Sequence, residues 1–185
     1  PTIAGLIAEG IDYKGFIFVG IMNVGGNPFV IEYNARMGDP ETQAVLLRIK
    51  SDFVELLVAA AKGELDSMKI DIDEHFAVTI ALVSGGYPGE YATGKVIQGL
   101  EHTGEAMVFH AGTNRNAETV QTQGGRVLAI SAKGNSLSEA RNNAIAATSS
   151  TVPKRPMGDM RLSPSSMKGV SMSALRRILV NVGPG

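Results

Sequence analysis

The stretch "GFIFVGIMNVGGNPFVIEYNARMGDPETQ", Gly15 to Gln43, predicts a β-hairpin that runs into a helix. Two runs rich in β-branched and aromatic residues, Gly15 to Val24 and Asn27 to Ala35, are separated by the pair Gly25-Gly26, which is a hairpin signal. A turn at "GDP" follows, and the pattern then becomes helical. Pro40 suits a first helical turn and Asp39 suits its cap.

Oxygen-bearing side chains are concentrated at the end of the second predicted strand. Because side chains alternate along a strand, Val30, Glu32 and Asn34 are predicted to share one face. A carboxylate and an amide oxygen side by side are hard ligands of the kind that Mg²⁺ and Mn²⁺ accept. Two oxygens alone make a poor cage for a metal, so the pattern suits a cation that arrives bound to a nucleotide.

Arg36 follows two residues after Asn34 and is predicted to extend the same face. Its planar guanidinium suits a phosphate or a carboxylate, and a helix beginning near Pro40 would direct free N–H groups at an anion. Metal, guanidinium and helix terminus together indicate phosphoryl chemistry. The same residues also fit an edge strand with exposed polar groups and a surface pair between Arg36 and Asp39, and the local pattern leaves both interpretations open.

Composition indicates a globular protein. The chain has 185 residues, of which 44% are apolar, enough for a hydrophobic core. It has no cysteine, which excludes disulfides, thiolate metal sites and a cysteine nucleophile. No apolar run is long enough for a membrane span, and the start "PTIAGLIAEG" lacks a secretory pattern, so we expect a cytoplasmic protein with no membrane partner.

The charge is unevenly distributed along the chain. From Thr151 onward there are six basic residues and one acidic residue, a formal charge of +5 that leaves the first 150 residues at −6. This tail has no interleaved aromatic residues and no recognisable nucleic-acid-binding module, so we expect no nucleic-acid partner. Only Met172 to Val182 is predicted to form a short amphipathic helix, and the rest of the tail is predicted to be irregular.

The central part of the chain predicts one more helix, then a mostly β region closed by a last helix. Asp52 starts the helix at Phe53 to Ala61, and Gly63 stops it. The last helix lies within "SLSEARNNAIAATSS", where Ser136 and Glu139 have the spacing of a capping box. The period-two pattern between them predicts strands at His75 to Val83, Lys95 to Leu100, Ala106 to Ala111, Thr119 to Thr122 and Arg126 to Ala132. The fold class is therefore α+β.

The loop "SGGYPGEY" has two interpretations. Gly85 and Gly86 would let backbone N–H groups approach an anion, but a glycine pattern of this kind is more often a plain turn. The three histidines lack metal-ligand spacing and are interpreted as structural.

Long segments of the chain closely resemble the glycinamide ribonucleotide synthetase family, also called phosphoribosylamine-glycine ligases. The resemblance covers nearly all of the first 150 residues, and its most specific motifs are "EYNARMGDPETQ" and "SGGYPG", supported by "VFHAGT" and "TQGGRVLAISAKGNSLSEARNNA". It implies the C-terminal part of an ATP-grasp domain at residues 1–70, formed by antiparallel strands and two helices. A small, mostly β domain at 71–150, closed by one helix, and a basic tail of unrecognised origin at 151–185 would follow.

The resemblance also implies a reaction and roles for residues. Glycine, 5-phosphoribosylamine and ATP would give glycinamide ribonucleotide, ADP and phosphate in purine biosynthesis. Glu32 and Asn34 would hold Mg²⁺ or Mn²⁺ against the ATP phosphates, and Arg36 would act on the transferred phosphoryl group. Substrate contacts would come from Asp39, Glu41, Thr42, Gly85 and Gly86.

The chain departs from the family in length, because complete members are more than twice as long. The resemblance begins inside the ATP-grasp domain, so we expect the isolated chain to lack ligase activity, and glycine-dependent ATP turnover would contradict this. Two alternatives stay open. One is a non-catalytic binding or scaffold protein that uses the +5 tail as its contact surface, and the other is a subunit of another ATP-grasp carboxylase or amidoligase.

Overall fold

The computed structural model describes residues 1–116 and 118–151 in full, and the backbone of three later strands at 160–162, 168–169 and 179–182. These residues form two compact units. The first contains residues 1–42 and 49–73 with the last strand, and the second contains 43–48 and 74–151 with the other two late strands. None of the helices in these ranges is both long and apolar enough to cross a bilayer.

The helices of the described residues are short except for the last. The α-helices are α1 (Thr2–Ala8), α2 (Glu41–Leu46), α3 (Phe53–Lys62) and α4 (Leu137–Thr151), and two 3₁₀ turns span Leu65–Ser67 and Leu100–His102. The strands are β1 (Tyr13–Phe16), β2 (Phe18–Val24), β3 (Asn27–Asn34), β4 (Phe76–Ser84), β5 (Val96–Ile97), β6 (Met107–His110), β7 (Thr113–Asn116), β8 (Thr119–Thr122), β9 (Arg126–Gly134), β10 (Met160–Leu162), β11 (Lys168–Gly169) and β12 (Leu179–Val182).

The first unit contains the predicted hairpin, which is confirmed. Strands β2 and β3 pair antiparallel, and we refer to them as the ribbon. At the turn Gly25 and Gly26 have φ angles of +58° and +88°, a conformation that glycine adopts without steric cost. The Asn23 side chain accepts a hydrogen bond from the Gly26 N–H at 2.9 Å, which fixes the turn.

The first strand prediction was wrong in one respect. The run from Gly15 to Val24 is divided, because β1 ends at Phe16 and pairs with β12 rather than with the ribbon. Leu179–Val182 is therefore a strand, although it was predicted to belong to a helix, and residues 172–178 of that predicted helix lie outside the described residues. The tail as a whole was predicted to be irregular apart from that helix, yet β10 and β11 both pair with β4.

Helix α3 forms as predicted because both its ends are capped. The Asp52 carboxylate accepts hydrogen bonds from the N–H groups of Val54 and Glu55, and Gly63 ends the helix in the left-handed conformation. Its buried face joins a small core made of Leu56, Ala59, Ala60 and Leu65.

The second unit is built on a sheet in the order β10-β4-β9-β6, with β11 also paired to β4. Helix α4 packs on β4 and β9. The resulting core contains Val78, Ile80, Leu82, Val127, Leu128, Ile130, Ala132, Ala140, Ala144 and Ala147. At the start of α4 the Ser136 hydroxyl accepts from the Glu139 N–H at 3.1 Å, as predicted, while the Glu139 carboxylate accepts from the Asn135 N–H at 2.8 Å.

A second sheet of this unit has the order β5-β8-β7. Thr119 to Thr122 is a strand with the bounds predicted, whereas β7 was not predicted. Of the strand predicted at Lys95 to Leu100, only Val96–Ile97 is extended, and the chain then enters a 3₁₀ turn at Leu100.

Candidate functional site

The predicted metal ligands lie near the end of the ribbon, beyond a β-bulge. Glu32 pairs with Gly20 and Val30 pairs with Ile21, so Ile31 has no cross-strand partner. Asn34 pairs with Phe18, two residues from Gly20, and therefore shares a face with Glu32 as predicted. Val30 lies on the opposite face, contrary to the prediction, because the extra residue in the bulge breaks the alternation.

Gly20 leaves room for the Glu32 side chain. A Cβ atom at position 20 would lie 3.0 Å from the Glu32 Cγ, a tighter contact than nine in ten real Cβ contacts. Glycine inside a strand commonly marks such a close approach. This role of Gly20 was not predicted, although a glycine in the middle of a β-branched run was the available signal.

Asn34 is half-buried, and its Nδ2 atom is buried without a hydrogen-bond partner among the described residues. An unpaired buried amide group is costly, and each such group in a folded protein requires an explanation. Glu32, in contrast, is exposed. The unpaired Nδ2 atom is a donor and suits an acceptor such as a phosphate oxygen, whereas a divalent cation would be held by the Asn34 Oδ1 atom and the Glu32 carboxylate on the same face. The described residues hold no group of three or more acidic, histidine or cysteine side chains arranged for a metal.

Arg36 lies beyond the end of β3, in a bend. Strand alternation therefore does not extend to it, and the predicted common face with Glu32 and Asn34 has no basis in the strand. The Arg36 side chain is exposed, and its Nη1 donates a hydrogen bond to the Met37 carbonyl oxygen at 2.9 Å. This contact occupies one of its five N–H groups and leaves the guanidinium able to bind an anion.

The junction between β3 and α2 is tightly packed around Gly38, which is buried. A Cβ atom on Gly38 would lie 2.6 Å both from the Phe18 ring and from the Glu41 carboxylate. The Gly38 carbonyl oxygen accepts from the Thr42 N–H at 3.0 Å and from the Thr42 hydroxyl at 2.5 Å. Thr42 is thus held at the first turn of α2, which begins at Glu41, two residues after the exposed Asp39. The structural roles of Phe18 and Gly38 were not predicted.

Gly85 and Gly86 belong to the second unit, whereas Glu32, Asn34, Arg36 and the junction residues belong to the first. Gly86 has a φ angle of +101°, and a Cβ atom there would lie 2.0 Å from the Glu90 carbonyl oxygen. In the same loop the Tyr87 N–H donates to Ser84 and the Gly89 N–H donates to Gly86. These two N–H groups are used within the turn, so an anion would have to bind to others.

Two family models match separate parts of the chain. Residues 1–42 match the family model of the phosphoribosylglycinamide synthetase ATP-grasp (A) domain, and residues 77–156 match the C domain model of the same synthetase. The chain belongs to the phosphoribosylglycinamide synthetase family. The fold class predicted from the sequence, an α+β piece of an ATP-grasp domain followed by a small β-rich domain, is confirmed.

Curated relatives and a solved structure support the assignment. The chain is 49% identical over 150 residues to the phosphoribosylamine-glycine ligase of Escherichia coli O6:H1, an alignment that covers 79% of this chain and 35% of the relative. It is 47% identical over 144 residues to the ligase of the same name from Chlorobaculum tepidum, covering 76% of this chain and 34% of that relative. The crystal structure of phosphoribosylamine-glycine ligase from Thermotoga maritima has a TM-score of 0.68 at 28% identity, over 90% of this chain and 38% of that one. The chain thus spans about a third of the length of these family members.

Proposed function

We propose that Glu32, Asn34, Arg36 and the junction between β3 and α2 form the metal and acyl-phosphate end of an ATP-dependent ligase. This ligase joins glycine to 5-phosphoribosylamine. The observation that carries the proposal is the placement of Glu32 and Asn34 on one face of β3, where Glu32 pairs with Gly20 and Arg36 follows two residues after Asn34. The family assignment supplies the substrates, since the matched relatives are named for this reaction.

The chemistry requires charge to be neutralised at two steps. The glycine carboxylate oxygen attacks the γ-phosphorus of ATP, which forms glycyl phosphate and releases ADP. The amine of phosphoribosylamine then attacks the glycyl carbonyl carbon and displaces phosphate, giving glycinamide ribonucleotide. In the first step a carboxylate approaches a polyphosphate, and in the second negative charge develops on the carbonyl oxygen and the departing phosphate. Preorganised positive charge is the main way in which proteins lower such barriers.

Glu32 and Asn34 would hold Mg²⁺ or Mn²⁺, which when bound neutralises the phosphate oxygens of ATP. Arg36 is exposed two residues further along the chain and would bind the phosphoryl group with its remaining N–H groups. Asp39, Glu41 and Thr42 would contact the substrates from the closely packed junction around Gly38. Gly85 and Gly86 of the second unit remain proposed substrate contacts.

Paramagnetic NMR with Mn²⁺ tests the proposal. When Mn²⁺ and ATP are added together to the wild-type chain, the amide signals from Glu32 to Arg36 should broaden. Glu32→Gln keeps the shape of the side chain but removes its charge, and should lower the affinity for Mn²⁺ by about tenfold or more. Glu9→Gln is the matched control, because it neutralises another exposed carboxylate of the same unit, at the end of α1.

Equal broadening in the wild type and in Glu32→Gln would contradict the assignment of the ligand. If the wild type shows no broadening at all, the proposal is wrong and the alternative of a non-catalytic scaffold is favoured.

A further inference from the structure

Three of the sequence motifs meet at one end of the second unit. The motif "SGGYPG" begins at the last residue of β4, "HAGT" begins at the last residue of β6, and "TQGG" leads into β9. Both β4 and β6 pair antiparallel with β9, so the ends of those two strands and the start of β9 lie at the same edge of the sheet. We refer to residues 84–87, 110–113 and 122–126 as the corner.

Hydrogen bonds join the three turns of the corner. The Gly112 carbonyl oxygen accepts from the N–H groups of Gln123 and Gly124 at 2.8 and 3.0 Å. Ser84 donates its N–H to the Gly125 carbonyl oxygen at 2.8 Å and its hydroxyl to the Gly124 carbonyl oxygen at 2.9 Å. The turn before β9 is therefore bonded to both of the other turns.

The corner also needs glycine and a break in strand pairing. A Cβ atom on Gly112 would lie 2.6 Å from the Gly124 Cα atom, and a Cβ atom on Gly125 would overlap the Tyr87 ring. A β-bulge leaves Val127 without a cross-strand partner on β4. Bulges are common next to active sites, and glycine marks places where a backbone or a ligand approaches closely. Both features lie where the three motifs meet.

His110 presents an exposed imidazole at the corner, and a hydrogen bond fixes its orientation. Its Nδ1 atom lies 3.0 Å from the hydroxyl oxygen of Thr113, which is half-buried at the start of β7. Among residues 1–116 and 118–151 no other hydrogen bond is made by the ring. When the Thr113 hydroxyl donates to Nδ1, the ring proton is on Nε2, which is then a donor for a ligand. The sequence pattern predicted only a structural role for this histidine.

The other donors of the corner suit an anion. The N–H groups of Gly85 and Gly86 have no acceptor in the part of the chain that the structure describes. Arg126 is exposed and gives the corner a formal charge of +1, although the first 150 residues carry −6. The nearest acidic residue along the chain, Glu90, is exposed three residues beyond the corner.

We infer that the corner binds the phosphate group of a phosphorylated sugar, with the His110 Nε2 and the N–H groups of Gly85 and Gly86 as donors. The inference rests on the proposed function, whose second substrate carries a 5-phosphate that the residues at the end of β3 do not bind. A phosphate monoester is a dianion with several acceptor oxygens, and it takes hydrogen bonds from imidazole and backbone N–H groups.

NMR titration of the 185-residue chain with ribose 5-phosphate, without metal or ATP, tests the inference. The amide signals of Gly85, Gly86 and His110 should shift and saturate, whereas ribose should leave them unchanged. His110→Ala should weaken the binding by about tenfold or more, because a donor to a charged group is lost. His102→Ala is the matched control and should bind like the wild type, since it removes another exposed histidine of the same unit, one paired with Glu101 at 3.3 Å.

Two further variants distinguish a ligand-binding imidazole from a structural one. Thr113→Val keeps the shape of the side chain but removes the hydroxyl that orients His110, and should weaken the binding by about threefold or more. His110→Gln keeps an N–H donor and should restore part of the affinity that His110→Ala loses. Amide spectra of β4 and β9 verify that each variant is folded.

The inference is overturned if ribose 5-phosphate causes no saturable shift, or if folded His110→Ala binds it like the wild type. Inorganic phosphate that binds as tightly as ribose 5-phosphate would also overturn it, because the corner would then select a free anion rather than a sugar phosphate. The result is independent of the Mn²⁺ experiment. Shifts at the corner can occur where Mn²⁺ binding at Glu32 fails, and Mn²⁺ can bind where the corner does not respond.

Discussion

The ribbon and the β4-β9 sheet are both antiparallel, yet they are stabilised in different ways. Val127, Leu128 and Ile130 of β9 belong to one core cluster and are all almost completely buried. The ribbon residues Ile21, Val30 and Ile31 have the same chemistry but remain more than half exposed. A β-branched pattern therefore predicts a strand, but it does not predict whether the strand is in the core of its own unit or presents a surface to something else.

The difference between the ribbon and the β4-β9 sheet can be tested most directly with an Ile→Ala substitution in each. Ile130→Ala should reduce the free energy of unfolding of the second unit by about 2–5 kcal/mol, because the Ile130 side chain is 0% exposed and a cavity would remain. Ile31→Ala should change stability by no more than about 0.5 kcal/mol, because Ile31 is 63% exposed. Urea unfolding followed by circular dichroism measures both, and equal losses would show that the ribbon is part of a core.

A buried polar contact distinguishes the β4-β9 sheet further. The hydroxyls of Thr79 and Ser131 lie 2.7 Å apart, and both residues are buried. Thr79→Val should cost about 1–3 kcal/mol, because it leaves the Ser131 hydroxyl buried without this partner. The double variant Thr79→Val/Ser131→Ala should recover part of the loss in the same unfolding experiment. A double variant whose loss equals the sum of the two single losses would show that the hydroxyls do not interact.

The ribbon should respond to substitution in ligand binding rather than in stability. Gly20→Ala places a methyl group against Glu32, so Mn²⁺ binding in the presence of ATP should weaken by about tenfold, equivalent to about 1.4 kcal/mol. Gly5→Ala is the control, because a Cβ atom there meets nothing within 4 Å. The NMR titration that tests Glu32→Gln measures both variants. Unchanged affinity in Gly20→Ala would mean that the position of Glu32 in the ribbon does not matter for the metal.

Local signals accounted for much of the fold. The Gly25-Gly26 turn, the Asp52 cap and the Ser136 cap each depend on a few neighbouring residues, and each was found where it was predicted. The strand β7 and the pairing of β12 with β1 were not predicted, because a short polar strand or a mixed tail acquires its conformation from partners that are distant in sequence.

In the candidate site, too, some features were predicted from the local sequence and others were not. The common face of Glu32 and Asn34 followed from alternation alone, since two residues apart is one full period of a strand. The bulge at Ile31 did not follow, and it moves Val30 to the other face of the ribbon. Arg36 lies past the end of β3, at a point where the periodicity of a strand no longer predicts a direction.

The amino-acid sequence by itself determined the family, the hairpin and the common face of Glu32 and Asn34, because each of these depends on contiguous residues and short-range geometry. Only the tertiary structure decided which apolar strands are buried, how Gly20 and Gly38 accommodate Glu32, Phe18 and Glu41, and where the late strands pair. Burial and close approach depend on the atoms that a residue contacts across the fold. The identical side chains of Ile31 and Ile130 differ in exposure, and their neighbours in the sequence do not predict this difference.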